Sequence, residues 1–337
     1  MKTQFLLTIS IFSIVAISSC KKKDDAAPAT TTPTTPASPW AVKTSGTTKS
    51  LYAVCFINET NGFAGGYDGT LLKTTDGGST WAAITTTASN TINDIVFPTP
   101  SLGFLVEGGL VGGFYKTTDG GANWADAMPN SSVNGLSAIC FPTATKGYFC
   151  GSNLEFDATT DGGATWTRDI LGNIGNARDI FFVNDSVGYA VGYDSYNTTD
   201  DKGRIDKTTN GGKTWTDQTS GVASTGLNSV YFSDLNNGII VGEGGKILKT
   251  TNGGTTWTAQ TSGVTKTLYA VAFSSATAGI AVGDAGTVLS TTDGGTTWTT
   301  VNSSTSESLY KIQFVTATTA FAVGSNGVII KTTSGGK

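Results

Sequence analysis

Histidine is absent from the 337 residues. Without imidazole there is no Ser-His-Asp relay, no histidine general base and no metal site built on ring nitrogens, which removes most common hydrolase mechanisms. Arginine occurs only at Arg168, Arg178 and Arg204, and the formal charge is −4. No basic surface is available to neutralise a nucleic-acid backbone, so no nucleic acid is expected as a partner. A bilayer-spanning run is missing too: the apolar stretch from Phe5 to Ile17 is too short to cross. What the chain has instead is 44 Gly and 58 Thr, together nearly a third of it. Residues of these types favour tight turns and strands over helices.

The N-terminus reads as an export signal: Lys2, the apolar stretch, then Ser18, Ser19 and Cys20. The ending Ile17-Ser18-Ser19-Cys20 resembles the bacterial lipobox. That resemblance implies cleavage of residues 1–19 and acylation of Cys20, whose several acyl chains would hold the protein to a membrane through this anchor only. An ordinary secretory signal with an incidental Cys is the alternative. Residues 20–38 carry Lys21, Lys22, Lys23, Asp24 and Asp25 followed by Ala, Pro and Thr. They contain no large apolar side chain and are expected to form a disordered tether. The Lys-Asp-Asp step resembles the signal that sends lipoproteins of Bacteroidota to the outer face of the outer membrane. The expected location is therefore the bacterial envelope, as an outer-membrane lipoprotein exposed at the surface or facing the periplasm.

Residues 39–337 repeat one unit. All seven tryptophans, Trp40, Trp81, Trp124, Trp166, Trp215, Trp257 and Trp298, recur at nearly even steps, and the one long step runs from Trp166 to Trp215. Six are preceded by copies of one string, such as KTTDGGSTW ending at Trp81, and a seventh copy starts at Lys331 and stops before reaching its Trp. Each unit opens with a strand of the type Leu51-Tyr52-Ala53-Val54-Cys55-Phe56. A short second strand, a Gly-bearing turn, a third strand and a fourth starting at the Trp follow. Four short strands in about 42 residues is one propeller blade. The expected fold is all-β, a seven-bladed β-propeller. Its last blade lacks a fourth strand, which the N-terminal segment at Trp40 supplies, because six or eight blades would strand one of these pieces.

The string Thr74-Thr75-Asp76-Gly77-Gly78-Ser79-Thr80-Trp81 resembles the Asp-box of sialidase-like propellers. Its residues suit a hairpin turn between the third and fourth strands: the acid accepts backbone N–H bonds, and Gly adopts positive φ without a Cβ penalty. Asp76, Asp119, Asp161, Asn210, Asn252 and Asp293 hold this position. Asn in two copies and Ser334 in the split one point to a structural acceptor rather than a required charge. The Trp is expected to plug the gap between blades.

A ligand face follows from strand direction. The beginnings of first strands and the second-to-third turns share the face opposite the Asp-boxes. The second residues of the first strands are Tyr52, Asn93, Ser137, Arg178, Asn228, Tyr269 and Tyr310, and the third residues include Asp94, Asp179 and Lys311. Three tyrosines from contiguous blades can form an aromatic arc suited to sugars or peptide side chains, or can simply pack between blades. The three charged residues can bind a ligand or form a solvated ion cluster. Tyr193 to Lys202 is an insertion on the same face, a solvated loop or a recognition loop; its three Asp lack the Gly and distal Glu of an EF-hand. Cys140 and Cys150 lie on adjacent strands, and whether they pair is open. No cofactor and no metal site is expected.

The run of KTTDGG-type units through residues 39–337 resembles the photosystem II stability/assembly factor family, which implies a seven-bladed propeller that helps to build a membrane complex. That family's Arg-rich patch is not reproduced by three scattered Arg. Sialidases share the Asp-box, but their Phe-Arg-Ile-Pro motif is missing here and only Arg178 is near the channel. The expectation is a non-catalytic envelope lipoprotein that binds a protein or glycan partner, with an assembly role among the possibilities. The alternative is a glycan-cleaving hydrolase using Asp94, Asp179 or Glu107 at the channel mouth.

Overall fold

The computed structural model describes residues 37–110, 112–128, 135–170, 174–193, 203–221 and 226–337. They form seven four-stranded antiparallel sheets. The first strands are Leu51–Phe56, Ile92–Val96, Leu136–Cys140, Asn176–Phe182, Leu227–Phe232, Leu268–Phe273 and Leu309–Phe314. Each touches the next around the molecule, and the last touches the first, so the ring is closed. Closure runs through the seventh blade. Trp40–Lys43 pairs with Ile329–Thr332 in the register Trp40 to Thr332 and Lys43 to Ile329, which covers the edge that the C-terminal unit would otherwise expose. The lipobox, Cys20, the tether up to residue 36, and positions 194–202 of the insertion lie outside the described residues.

Alternate strand residues face opposite neighbouring blades, so the core is a set of wedges between sheets. In the wedge between the seventh and first blades, Phe56 stacks on Phe321 with ring centres 4.2 Å apart, and Trp81 meets Phe56 edge-on at 5.9 Å. The same trio recurs as Phe97, Phe63 and Trp124, then as Phe141, Phe104 and Trp166. Each aromatic pair adds about 0.5–1.5 kcal/mol beyond area burial. The tryptophans thus act as the interblade plugs that their spacing implied.

The Asp-box turns explain the repeated string. Asp76 Oδ1 accepts the N–H groups of Ser79 and Thr80 at 3.0 and 2.9 Å, and its Oδ2 accepts the Thr80 hydroxyl at 2.6 Å. Asp161 and Asp293 repeat this pattern, and Asp119 repeats its backbone part while its Oδ2 accepts from Asn123 Nδ2 in place of a hydroxyl. In the Asn boxes, Oδ1 of Asn210 and of Asn252 accepts the backbone N–H, while Nδ2 donates to the hydroxyl of Thr214 or Thr256. The second box Gly is also a contact residue. A Cβ on Gly78, at φ +74, would lie 2.4 Å from the Phe321 ring of the preceding blade.

The lysine of the repeated string has a role that periodicity did not disclose. Lys73 Nζ donates to Gly120 O in the next blade's turn at 3.3 Å while lying over the Phe63 ring, and Lys331 reaches Gly77 O at 2.7 Å across the closure. These are interblade clips. The third strands of blades three and four depart from the pattern in the other direction. Asp157 and Asp206, both fully buried, occupy the position that Leu72, Leu248, Leu289 and Ile330 fill elsewhere.

Candidate site at the channel mouth

Every first strand carries a β-bulge near its start, as between Leu51 and Ala53, Ala177 and Asp179, or Leu309 and Lys311; positions are counted from Leu51 and its counterparts, Ala177 in the fourth blade. A bulge inserts one residue that the partner strand does not match, so strict alternation fails there. All seven second residues consequently reach the mouth of the axial channel, and four of the third residues join them. The cavity at its mouth, about 400 Å³, is lined by all seven second residues and by Asp179, Ser229, Ala270 and Lys311. Eight of the nine candidate residues come together there: Tyr52, Asn93, Arg178, Asp179, Asn228, Tyr269, Tyr310 and Lys311. Asp94 does not line the cavity but is held against Lys311 beneath it.

The aromatic arc is formed. Tyr52 stacks on Tyr310 with centres 4.7 Å apart and planes 13° apart, and Tyr269 meets Tyr310 edge-on at 5.1 Å. Burial and the Asp284 carboxylate push the Tyr269 phenol up, and burial, Tyr52 and Asp284 do the same to Tyr310. Across the mouth, the Arg178 guanidinium lies 4.6 Å above the Tyr193 ring, donates to Asn228 Oδ1, and bonds Glu243 Oε1 at 2.9 Å. The amides tie blades together: Asn93 Nδ2 donates to Leu136 O at 2.7 Å and Asn228 Nδ2 to Leu268 O at 2.8 Å.

The charged residues of the third position are not a solvated cluster. The inner edge of each first strand has no neighbouring strand to pair with, so its N–H groups need other acceptors. Asp94 accepts Ile95 N at 3.1 Å and, from the next blade, Ile139 N at 3.2 Å. Asp179 accepts Ile180 N and Val230 N, both at 3.0 Å. Lys311 Nζ lies 3.0 Å from Asp94 Oδ1, joining the seventh blade to the second. Burial raises the Asp179 pKa, and the Lys311 charge opposes the rise. Burial disfavours charged Lys311, yet Asp94 and Asp179 outweigh it and push its pKa up.

One further expectation changes, and one open point is answered. Glu107 is 1% exposed at the end of a second strand, accepts Asn90 N at 2.9 Å, and does not line the cavity, so it cannot join Asp94 and Asp179 there. Its carboxyl is pushed up by burial. Cys140 lies opposite Tyr148 and Cys150 opposite Ala138, and both thiols are free. Diagonal neighbours of this kind sit roughly 7–8 Å apart, too far for a disulfide. Sequence reading also missed Glu243 and Asp284 in second-to-third turns and Glu307 in a linker. Their signal was the turn beginning Gly242 or Gly283, where the residue after the Gly varies between repeats.

Residues 258–337 match the family model described as photosynthesis system II assembly factor YCF48. The chain is similar to YCF48. The structure titled YCF48 bound to D1 peptide superposes with a TM-score of 0.72 at 21% identity, covering 88% of this chain and 98% of that one. YCF48 from Cyanidioschyzon merolae gives 0.71 at 19% identity over the same shares. The WD40 propeller domain of Doa1 gives 0.71 at 11% identity, covering 86% of this chain and 94% of that one. At these identities the likeness is one of fold. No curated protein sequence matches the chain.

Proposed function

We propose that this chain is a non-catalytic, lipid-anchored envelope protein whose propeller binds a polypeptide partner at the channel mouth, in the manner of an assembly factor. The observation that carries the reading is the convergence of all seven bulged positions on one cavity with a stacked tyrosine arc at its rim. Aromatic side chains with polar tips supply large contact area at low entropic cost, which suits protein recognition. The YCF48 structure titled with a bound D1 peptide makes a propeller of this build a reasonable peptide receptor. The carboxylates support a non-catalytic role. Asp94 and Asp179 each spend both oxygens on backbone N–H groups of two blades, which leaves them poorly placed to shuttle protons to a substrate. The lipobox-like ending at Cys20 supports the anchor.

Photo-crosslinking tests the face. With a benzophenone side chain at Tyr269, cross-linked protein adducts are expected in detergent extracts of the native envelope, and they should be absent with the probe at Thr255 on the Asp-box face. Equal adducts from both positions would defeat the assignment. Radiolabelled palmitate should enter the wild type and not Cys20→Ala; label that persists in the variant removes the anchor.

A further inference from the structure

The mouth contains its own example of what its chemistry holds. On the side of blades four and five, a cation sits in a seat made of one aromatic face, one carboxylate and one amide oxygen: Arg178 on Tyr193, Glu243 and Asn228. On the side of blades one, six and seven the same ingredients recur. The Tyr52–Tyr310 stack and the edge of Tyr269 supply aromatic surface, and Asp284 and Glu307 supply carboxylates beside those rings. What differs is the cation. Among the described residues, neither Asp284 nor Glu307 is in an ion pair. Asp284 takes the Ser308 hydroxyl at 3.2 Å, and Glu307 takes Ser325 Oγ and Asn326 Nδ2 at 2.7 and 2.9 Å. All three tyrosines and both acids are partly exposed, so a ligand can reach them.

Other candidates carry less. Asp157 and its neighbour Glu155 are fully buried and Arg168 pairs with Glu155, while the free thiols of Cys55 and Cys150 are buried and that of Cys140 is partly so. The mouth is open and has aromatic faces, and its two lining cations are already paired, Arg178 with Glu243 and Lys311 with Asp94.

The geometry points to a seat for the side chain of Lys or Arg, presented by an extended segment of the polypeptide partner, on the tyrosine side of the mouth. The inference rests on the peptide-binding reading above and adds the chemistry of the partner. An ammonium or guanidinium over the exposed face of the Tyr52–Tyr310 stack gains cation–π attraction, and the two carboxylates complete its pairing. An acidic segment would meet Asp284 and Glu307 unpaired and be repelled.

The test uses acetylated, amidated hexalysine, hexaglutamate and a neutral Gly-Ser hexamer, titrated calorimetrically into the propeller at low and at physiological salt. Hexalysine should bind tightest, and its Kd should rise roughly fivefold in Tyr52→Leu, a change that leaves the net charge untouched. Asp284→Asn with Glu307→Gln should weaken it roughly tenfold, with thermal midpoints of both variants near that of the wild type. Non-specific attraction to an acidic protein would also bind hexalysine, but Tyr52→Leu would not move it. That result overturns the inference. Tighter binding of the neutral or acidic peptide, sensitive to Tyr52→Leu, overturns it while leaving the mouth a peptide site. Absence of hexalysine binding at low salt overturns it outright, with the cross-linking result deciding separately whether the mouth binds a partner.

Discussion

Replacing Lys311 by Met tests how the ring holds its inner edge. The ammonium lies 3.0 Å from Asp94 Oδ1, the Asp94 side chain is 9% exposed, and 29% of the Lys311 side chain reaches solvent along the channel. Removing one partner of a buried ion pair costs about 3–5 kcal/mol. Solvent in the channel screens part of that, and Asp94 keeps its two backbone donors. The expected loss at pH 7.5 is therefore at the low end, about 2–3 kcal/mol, and is read as a lower urea midpoint with an unchanged m-value. Asp94→Asn in the same background should recover about 1–2 kcal/mol, because the carboxylate directly paired with the lost ammonium is removed and only Asp179 is left without it. The acid dependence supplies a second check. Without the Lys311 charge that opposes its rise, the Asp179 pKa climbs further. Asp179 then protonates more readily as the pH falls, and the deficit of the variant should shrink. A coupling energy below about 0.5 kcal/mol between the two substitutions, or a deficit that does not change with pH, would refute the reasoning.

Three more outcomes follow from particular residues. Ala285 sits at φ 50 in an exposed turn where Gly244 occupies the matching place at φ 65; Ala285→Gly should raise stability by about 0.5–1 kcal/mol, seen as a higher Tm. Burial and the Glu155 carboxyl push the Asp157 pKa up, so its contribution is fully present below the unfolded value of about 4 and is lost as pH rises through the folded one. Asp157→Leu should stabilise by about 1–4 kcal/mol at pH 8 and by less at pH 5, measured as urea midpoints at both. The Thr80 hydroxyl and N–H hold the Asp76 pKa down to about 2, and Asp293 is likewise held at about 2, so their contribution is present above about pH 4 and falls away towards pH 2. Replacing all four box Asp by Asn should flatten this acid limb in circular dichroism, as expected from the Asn210 and Asn252 turns.

The number of blades, their closure and the place of every Asp-box turn were legible in the chain because each depends on local chemistry repeated in register. A Gly pair at positive φ, an acceptor side chain and a Trp at the start of a strand recur once per blade, and the two incomplete units at Trp40 and Lys331 complement each other. The candidate mouth residues were legible as a list, since strand direction assigns them one face. Their roles were less so. Alternation predicts that Tyr310 and Lys311 point opposite ways, and only the bulge brings both to the channel. Glu107 reads from the chain like any other carboxylate near a strand end, yet it folds against the Asn90 linker.

What the chain determined by itself is therefore the wheel: period, hairpin turns and clasp are properties of residues near one another in sequence. What tertiary structure alone decided is which side chains meet across the axis. Lys311 finds Asp94, and Tyr52 finds Tyr310, only because ring closure brings the seventh blade beside the first and near the second. Whether Asp94 and Asp179 are free acids or structural acceptors is decided in the same way. The backbone N–H groups they bind belong to the next blade, and the need for those bonds arises only when seven unpaired strand edges are gathered around one channel.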